Sequence, residues 1–401
     1  MRGVSFWMYL LGLLLPLYMI RGYVGGIPVS IVDLLMGGLV IWGGQVLWSE
    51  YRLVSEIKKL MSHLMGRSEF WIFLAVGILG VIPAQDVISS LGVLKSVIIM
   101  PIILYSVVYT FSSLRKWIIR GVVSSGVWLS FLVIIQMIIT EERPFGLYQW
   151  VMGEELLSGG VANYMAMYLV PVFIMSFLPD LDWSRLFRWG AHLLILGGII
   201  SLQSYAATGS LLVVAIVAGV RKISQNHNSF IQQLGIIMGG SLLVVFLLGL
   251  WVSDESRFTS LDMTESNALT SRVQIWHVSW IVGNIYPWQG IGLADFESQY
   301  TTRIGALYDY PGEWLVPHSH NVYFAFWLYG GVAGIVFVLV MLWRIGNGLT
   351  EQGSSYLASL ALLAWALHGV LDTPFWKYDL ALIGSLLTVF LIQRSKTISS
   401  K

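Results

Sequence analysis

The 401-residue chain contains no cysteine, so a disulfide, a thiolate nucleophile or a cysteine-ligated metal cannot be part of its chemistry. Charge is scarce as well. Asp, Glu, Lys and Arg make up only 11% of the residues, against roughly 25% in an average soluble domain. The formal net charge is +1 and the few basic residues are scattered, which excludes whole-molecule attraction to nucleic acid. Internal repeats, heptad arrays and low-complexity tracts are also missing, and the segments read below as outward-facing hold no Asp-x-Asp or histidine-rich run of the kind that announces a metal site. What remains is apolar. With 56% hydrophobic residues the chain carries more greasy surface than one globular core could hide, and it reads as an all-α polytopic membrane protein, a single domain over residues 1–401.

Apolar runs of roughly 17–25 residues, the length a helix needs to cross the hydrocarbon, give about twelve expected spans. They lie near 6–22, 27–48, 69–84, 91–113, 117–139, 161–178, 189–204, 206–220, 230–252, 321–343, 356–371 and 378–393. The first has no small-residue cleavage site after it and is read as a retained span. With the N-terminus inside, most Lys and Arg fall in inside connections. Arg21, Lys95, Arg143, Arg257, Arg272, Arg303 and Lys377 do not. This bias predicts an even number of spans and both termini in the cytoplasm.

One long polar interruption, 253–319, then becomes an outer loop between spans nine and ten. Within it, Ile275, Val278, Ile281 and Val282 predict a helix along the membrane interface near 266–285, ended by Pro287. The loop closes on Pro317-His318-Ser319-His320-Asn321, directly against the apolar run from Val322. Charges near hydrocarbon are costly, so outward cations that topology does not require invite a ligand. Arginine forks and lysine ammonium groups suit phosphate oxygens. Arg272, Arg303, Arg143 and Lys95 therefore predict an anionic ligand at the outer leaflet. Snorkelling to the outer surface is the other use of Lys95, and an ordinary loop charge is the other reading of Arg303, as of Arg257. Arg272 lies one turn before Trp276, whose ring offers a surface for sugars. His320 is read as the start of a helix, where the positive dipole end favours the neutral imidazole that a general base requires. His318 is expected to point elsewhere. Asp372 is expected to cap a helix or pair with Lys377, with orientation of a histidine as its other use, and Asp33 is read as structural.

His320-Asn321, nine residues, then Gly331-Val332-Ala333-Gly334 resembles a pattern of the bacterial O-antigen ligase and polymerase superfamily. Ser271-Arg272 with Trp276, Pro287-Trp288-Gln289-Gly290-Ile291-Gly292, Arg143-Pro144-Phe145-Gly146 before Ala162-Asn163-Tyr164, and His368-Gly369-Val370-Leu371-Asp372-Thr373-Pro374-Phe375 are similar to further family segments. The family's Ser-Arg-Gly is not matched where this chain reads Ser204-Tyr205-Ala206-Ala207-Thr208, so Lys95 or Arg143 would have to supply that charge. The resemblance implies a GT-C-like fold in the bacterial inner membrane with a periplasmic active site. It also implies an undecaprenyl-diphosphate-linked glycan as donor and a glycan or glycolipid acceptor. His320 and Arg272 would be the catalytic residues, with Arg143, Lys95, His318, Arg303, Asn321 and Trp276 binding substrate. No cofactor and no metal are expected, because arginines can stabilise a departing diphosphate and one base suffices for the acceptor hydroxyl. The His320 pattern leans toward the ligase, with lipid A core as acceptor. Arg272 eleven residues before Gly283 resembles a polymerase pattern, whose acceptor is another carrier-linked repeat. A transporter of lipid-linked sugars would instead need charges along a central path and related halves. A sensor would need a cytoplasmic output module, and no inside segment is long enough for one.

Overall fold

The computed structural model describes residues 2–140, 160–224, 268–309, 311 and 314–392. The described residues are overwhelmingly helical. Helix α1 (Arg2–Leu14) continues as a short 3-10 turn (Leu15–Met19) into a hairpin of β1 (Arg21–Val24) and β2 (Ile27–Ser30). Gly25 and Gly26, both at positive φ, form its two-residue turn. Then come α2 (Ile31–Ser49), α3 (Leu53–Met65), α4 (Ser68–Leu79) and α5 (Val87–Val93). A π turn (Leu94–Ile99) links α5 to α6 (Met100–Thr110), followed by α7 (Arg115–Thr140), α8 (Gly160–Met175), α9 (Arg185–Ser201) and α10 (Tyr205–Ser224). After residue 267 the chain forms α11 (Ala268–Ile285), α12 (Phe296–Leu307), α13 (Val322–Gly348), α14 (Ser354–His368) and α15 (Tyr378–Ile392).

Helices lie on every expected span except 230–252, which falls outside the described residues. Five of the described helices are long and apolar enough to cross a membrane, and five apolar ones are shorter. The beginning expected at Ile27 is corrected. Residues 27–30 are strand, because Ser30 caps α2: it accepts from Asp33 N while the Asp33 carboxylate accepts from Ser30 N, 2.7 Å away.

α1 packs along α7, where Gly12 and Gly121 let the two backbones meet without intervening side chains. α7 in turn holds α8 and α9, and α14 lies between α8, α10 and α15. These contacts form the main apolar core. A smaller core gathers Ile275, Val278 and Val282 of α11, Phe296, Tyr300 and Ile304 of α12, and Ala325, Leu328 and Tyr329 of α13. A helix covers the stretch expected near 266–285, from residue 268 on, with an apolar face packed into this second core.

Polar contacts sort the connections into two ends. At one end Arg344 Nη2 donates to Glu69 (3.0 Å), Arg120 pairs with Asp182 (3.2 Å) and Arg221 donates to the carbonyls of Leu349 and Glu351. At the other end Asp295 accepts from Gln85 N (2.6 Å) and Asp86 N (3.2 Å), and Val322 N donates to Gly369 O (2.8 Å). The hairpin and the residues singled out as a site lie at this second end.

Inside α13 the helical ladder is opened. Val322–Gly348 carries one non-helical residue, Gly331 (φ 55°, ψ −139°), so the bond that Val332 N would give to Leu328 O is not made. Instead, Val332 N donates to Trp288 O (3.2 Å), and Leu328 O accepts from Ile291 N (2.7 Å). The Trp288–Ile291 loop substitutes for the missing rung, leaving both groups satisfied. The two glycine motifs of the sequence are therefore one device, since Gly331 makes the break and Gly290 (φ 76°) shapes the loop that fills it.

Candidate active site

α13 begins at Val322. Asn321 caps it, accepting from Tyr323 N (2.9 Å) and Phe324 N (3.1 Å) and donating from Nδ2 to Val370 O (2.9 Å). Asn321 is thus committed to joining the start of α13 to the segment after α14, a structural task where substrate contact was expected. His320 precedes the cap instead of starting the helix. Its φ of 45° is left-handed, a conformation that costs a residue with a Cβ on the order of 1 kcal/mol and persists only when its surroundings hold it. They do so through the backbone: Trp276 Nε1 donates to His320 O (3.2 Å), and Ser319 Oγ donates to Asn321 O (2.9 Å).

The turn folds the two histidines toward each other. The His318 and His320 rings meet edge to face with centroids 4.3 Å apart, which corrects the expectation that His318 points elsewhere. His320 Nδ1 faces Asp372 Oδ1 at 3.5 Å. The expected pairing of Asp372 with Lys377 is not found among the described residues; the carboxylate lies with His320 and also accepts from Thr373 N (2.8 Å). Burial opposes the charge on Asp372, yet His320 beside it, with His318 and His368 behind, holds the carboxyl well below the ordinary range. Burial lowers the His318 imidazole well below its usual value, helped by His320 and Lys377 and opposed by Asp372. Lys377 is lowered by burial too, against the pull of Asp372 and Asp379. The His320 side chain remains 21% exposed while Asp372 is 7% exposed, so an outside molecule can reach the ring but not its partner.

Arg272 lies one turn before Trp276 on α11, about 6 Å along the axis, on the helix that holds the His320 backbone. Its Nε is buried with no hydrogen-bond partner among the described residues, and its charge reaches His368. His368, 1% exposed at the end of α14, has both ring nitrogens buried and without a hydrogen-bond partner among the described residues. It received no role from the sequence. Its only signal was the spacing of four to Asp372, which sets the two near each other where α14 ends.

The other expected ligand groups lie elsewhere or are occupied. Arg303 turns back along α12 to the carbonyl (3.0 Å) and side chain (2.7 Å) of Gln299. Lys95, on the π turn, donates to Asp33 (2.9 Å) and to the Pro28 carbonyl, while Tyr378 donates to the same carboxylate (2.8 Å). Asp33 is structural, as the sequence suggested, and Lys95 is its counter-ion. Arg143 and Arg257 fall outside the described residues. His277 is exposed and shares a hydrogen bond with Tyr308 (2.7 Å).

The arrangement suits proton transfer at a partly exposed imidazole edge, with the Arg272 charge felt at His368 behind Asp372. It also collects three groups that can ligate a metal, since the ligand atoms of His318, His320 and Asp372 all lie within 4.8 Å of one another. Beneath it, an apolar groove of about 170 Å³ runs from Val322 and Phe375 past Phe326 and Phe337 to Arg67 and Glu69 at the opposite end.

No curated protein matches the chain. Residues 190–339, which include Arg272, Trp276, His318 and His320, match the family described as O-antigen ligase. Over these residues the chain is similar to the O-antigen ligase family, in keeping with the resemblance that its glycine and histidine motifs carry.

Proposed function

We propose that this protein transfers a glycan from undecaprenyl diphosphate to an acceptor hydroxyl on the outer face of the inner membrane, with His320 as general base. The observation that carries the reading is the His320–Asp372 pair. With Nδ1 turned to the carboxylate, the ring proton belongs on Nδ1 and the Nε2 lone pair faces outward. Nε2 takes the acceptor proton as the acceptor oxygen attacks the anomeric carbon. The carbon–oxygen bond to the carrier diphosphate breaks on the opposite side, so configuration inverts. The pair of electrons leaves with the diphosphate, whose growing charge the Arg272 guanidinium stabilises, without a metal. Asp372 holds the ring and offsets the imidazolium charge that forms. The groove beneath, apolar along its length and ending beside the pair, suits the isoprenoid tail of such a donor.

The test is incubation of the purified protein with a carrier-linked oligosaccharide and, separately, lipid A core or a second carrier-linked repeat, followed by mass analysis. Product on lipid A core supports the ligase, and product on the second repeat makes it a polymerase. Turnover of His320→Ala at the wild-type rate on both acceptors rejects the base assignment.

A further inference from the structure

We propose that His318, His320 and Asp372 form a binding site for a borderline transition-metal cation of the Zn²⁺ class, and that its occupation switches transfer off. The site itself stands on geometry alone; its effect on transfer rests on the reading of His320 as the base.

The donor set is two imidazoles and one carboxylate, a combination that suits Zn²⁺ and leaves a fourth tetrahedral position open. Ligands about 2.0–2.1 Å from a tetrahedral ion stand about 3.3–3.4 Å from one another. His320 Nδ1 and Asp372 Oδ1 are 3.5 Å apart, and the third ligand atom lies within 4.8 Å of both. Small rotations of the His318 ring, which already meets His320 edge to face, close that third side. The second observation is a deficit. Among the described residues His318 Nδ1 is buried with no hydrogen-bond partner, and buried His320 Nδ1 has only Asp372 Oδ1 facing it, at a long 3.5 Å. Buried polar atoms rarely remain so, and one cation shared by the three clustered side chains would satisfy them together. Lys377 and Arg272 stand nearby and oppose a divalent charge. The site is therefore weaker than a closed structural zinc site and suited to reversible occupation.

The link to activity follows from the two nitrogens of one ring. An imidazole coordinated through Nδ1 keeps its proton on Nε2. The lone pair that would accept the acceptor proton is then no longer available, and Asp372 is drawn from the ring to the ion. Metal and acceptor proton thus compete for opposite tautomers of His320.

Co²⁺ titrated into the chelator-stripped full-length protein in nanodiscs reads the site through the visible absorption of tetrahedral cobalt. One equivalent should bind, Zn²⁺ should displace it, and His318→Gln and Asp372→Asn should each weaken binding at least tenfold. His277→Ala, an exposed histidine on the same side, should leave binding unchanged. Thermal midpoints of the variants, read by tryptophan fluorescence, separate loss of the site from loss of fold. An absent spectrum, or one unchanged in both folded variants, overturns the site. Zn²⁺ should lower transfer over the concentration range in which it displaces Co²⁺, and chelator should restore it. Undiminished transfer by Zn²⁺-saturated protein overturns the switch. If no acceptor is glycosylated with or without chelator, the transfer reading fails, while the cobalt spectrum still decides the site.

Discussion

Replacing Gly331 by alanine tests the account of how α13 is built. At φ 55° and ψ −139° the residue occupies a region closed to side chains, and a Cβ there costs on the order of 1–3 kcal/mol in backbone strain alone. The added atom would also overlap the Trp288 carbonyl oxygen, which is backbone and is already the acceptor for Val332 N. Relieving an overlap of this kind costs a further ~1–3 kcal/mol, so the expected destabilisation is about 4 kcal/mol. At roughly 2 °C per kcal/mol for a large domain, the unfolding midpoint should fall by about 8 °C. Tryptophan fluorescence on protein purified in detergent, at one fixed heating rate, measures it. Gly346 supplies the control on the same helix. It is exposed and helical, and a Cβ there meets nothing within 4 Å, so Gly346→Ala should be neutral or gain up to about 1 kcal/mol. Equal midpoints for the two variants would refute the exchange of rungs between α13 and the Trp288–Ile291 loop.

Asp372→Asn should lower the turnover rate by about 10²–10⁴-fold through loss of ring orientation, and add little to His320→Ala in the double variant; additive losses would show that the two residues act apart. Asp33→Ala leaves the Lys95 ammonium without its carboxylate and should cost on the order of 3–5 kcal/mol, whereas Asp33→Leu with Lys95→Met should recover much of it. A double variant as unstable as the single one contradicts that pairing. With chelator present, stability should decline as the pH falls below about 6.5, the ordinary histidine value. Burial depresses the His318 pKa in the fold, so the unfolded chain takes the proton first, and the loss proceeds until the folded value is reached. His318→Gln should flatten the profile between about pH 6.5 and 5; an unchanged slope would place the titration elsewhere.

The helices were legible because apolar runs of spanning length have few other uses in a chain with so little charge. The hairpin before α2 was not, since Ile27-Pro28-Val29 is as greasy as the helix it precedes and only the Ser30–Asp33 cap separates them. Of the site, the sequence pointed to Arg272, Trp276, His318 and His320, because charge and imidazole stand out against an apolar background and because the glycine spacing resembled a family. It misjudged the partners. The convergence of His318 and His320 depends on a positive φ at a non-glycine residue, for which sequence carries no local signal. The pairing of Asp372 with His320 joins residues 52 positions apart and depends on Asn321 and Val322 fastening to Val370 and Gly369. Lys95 looked like a free cation because its counter-ion, Asp33, lies 62 residues earlier in the chain.

The grip of α11 on His320 falls on the main chain, through Trp276 and the peptide carbonyl, and leaves the imidazole untouched. Main chain and ring are therefore anchored separately, the one by α11 and the other beside Asp372 and His318. A substitution of Trp276 would thus act on the turn that presents the ring, and not on the ring's own position beside Asp372.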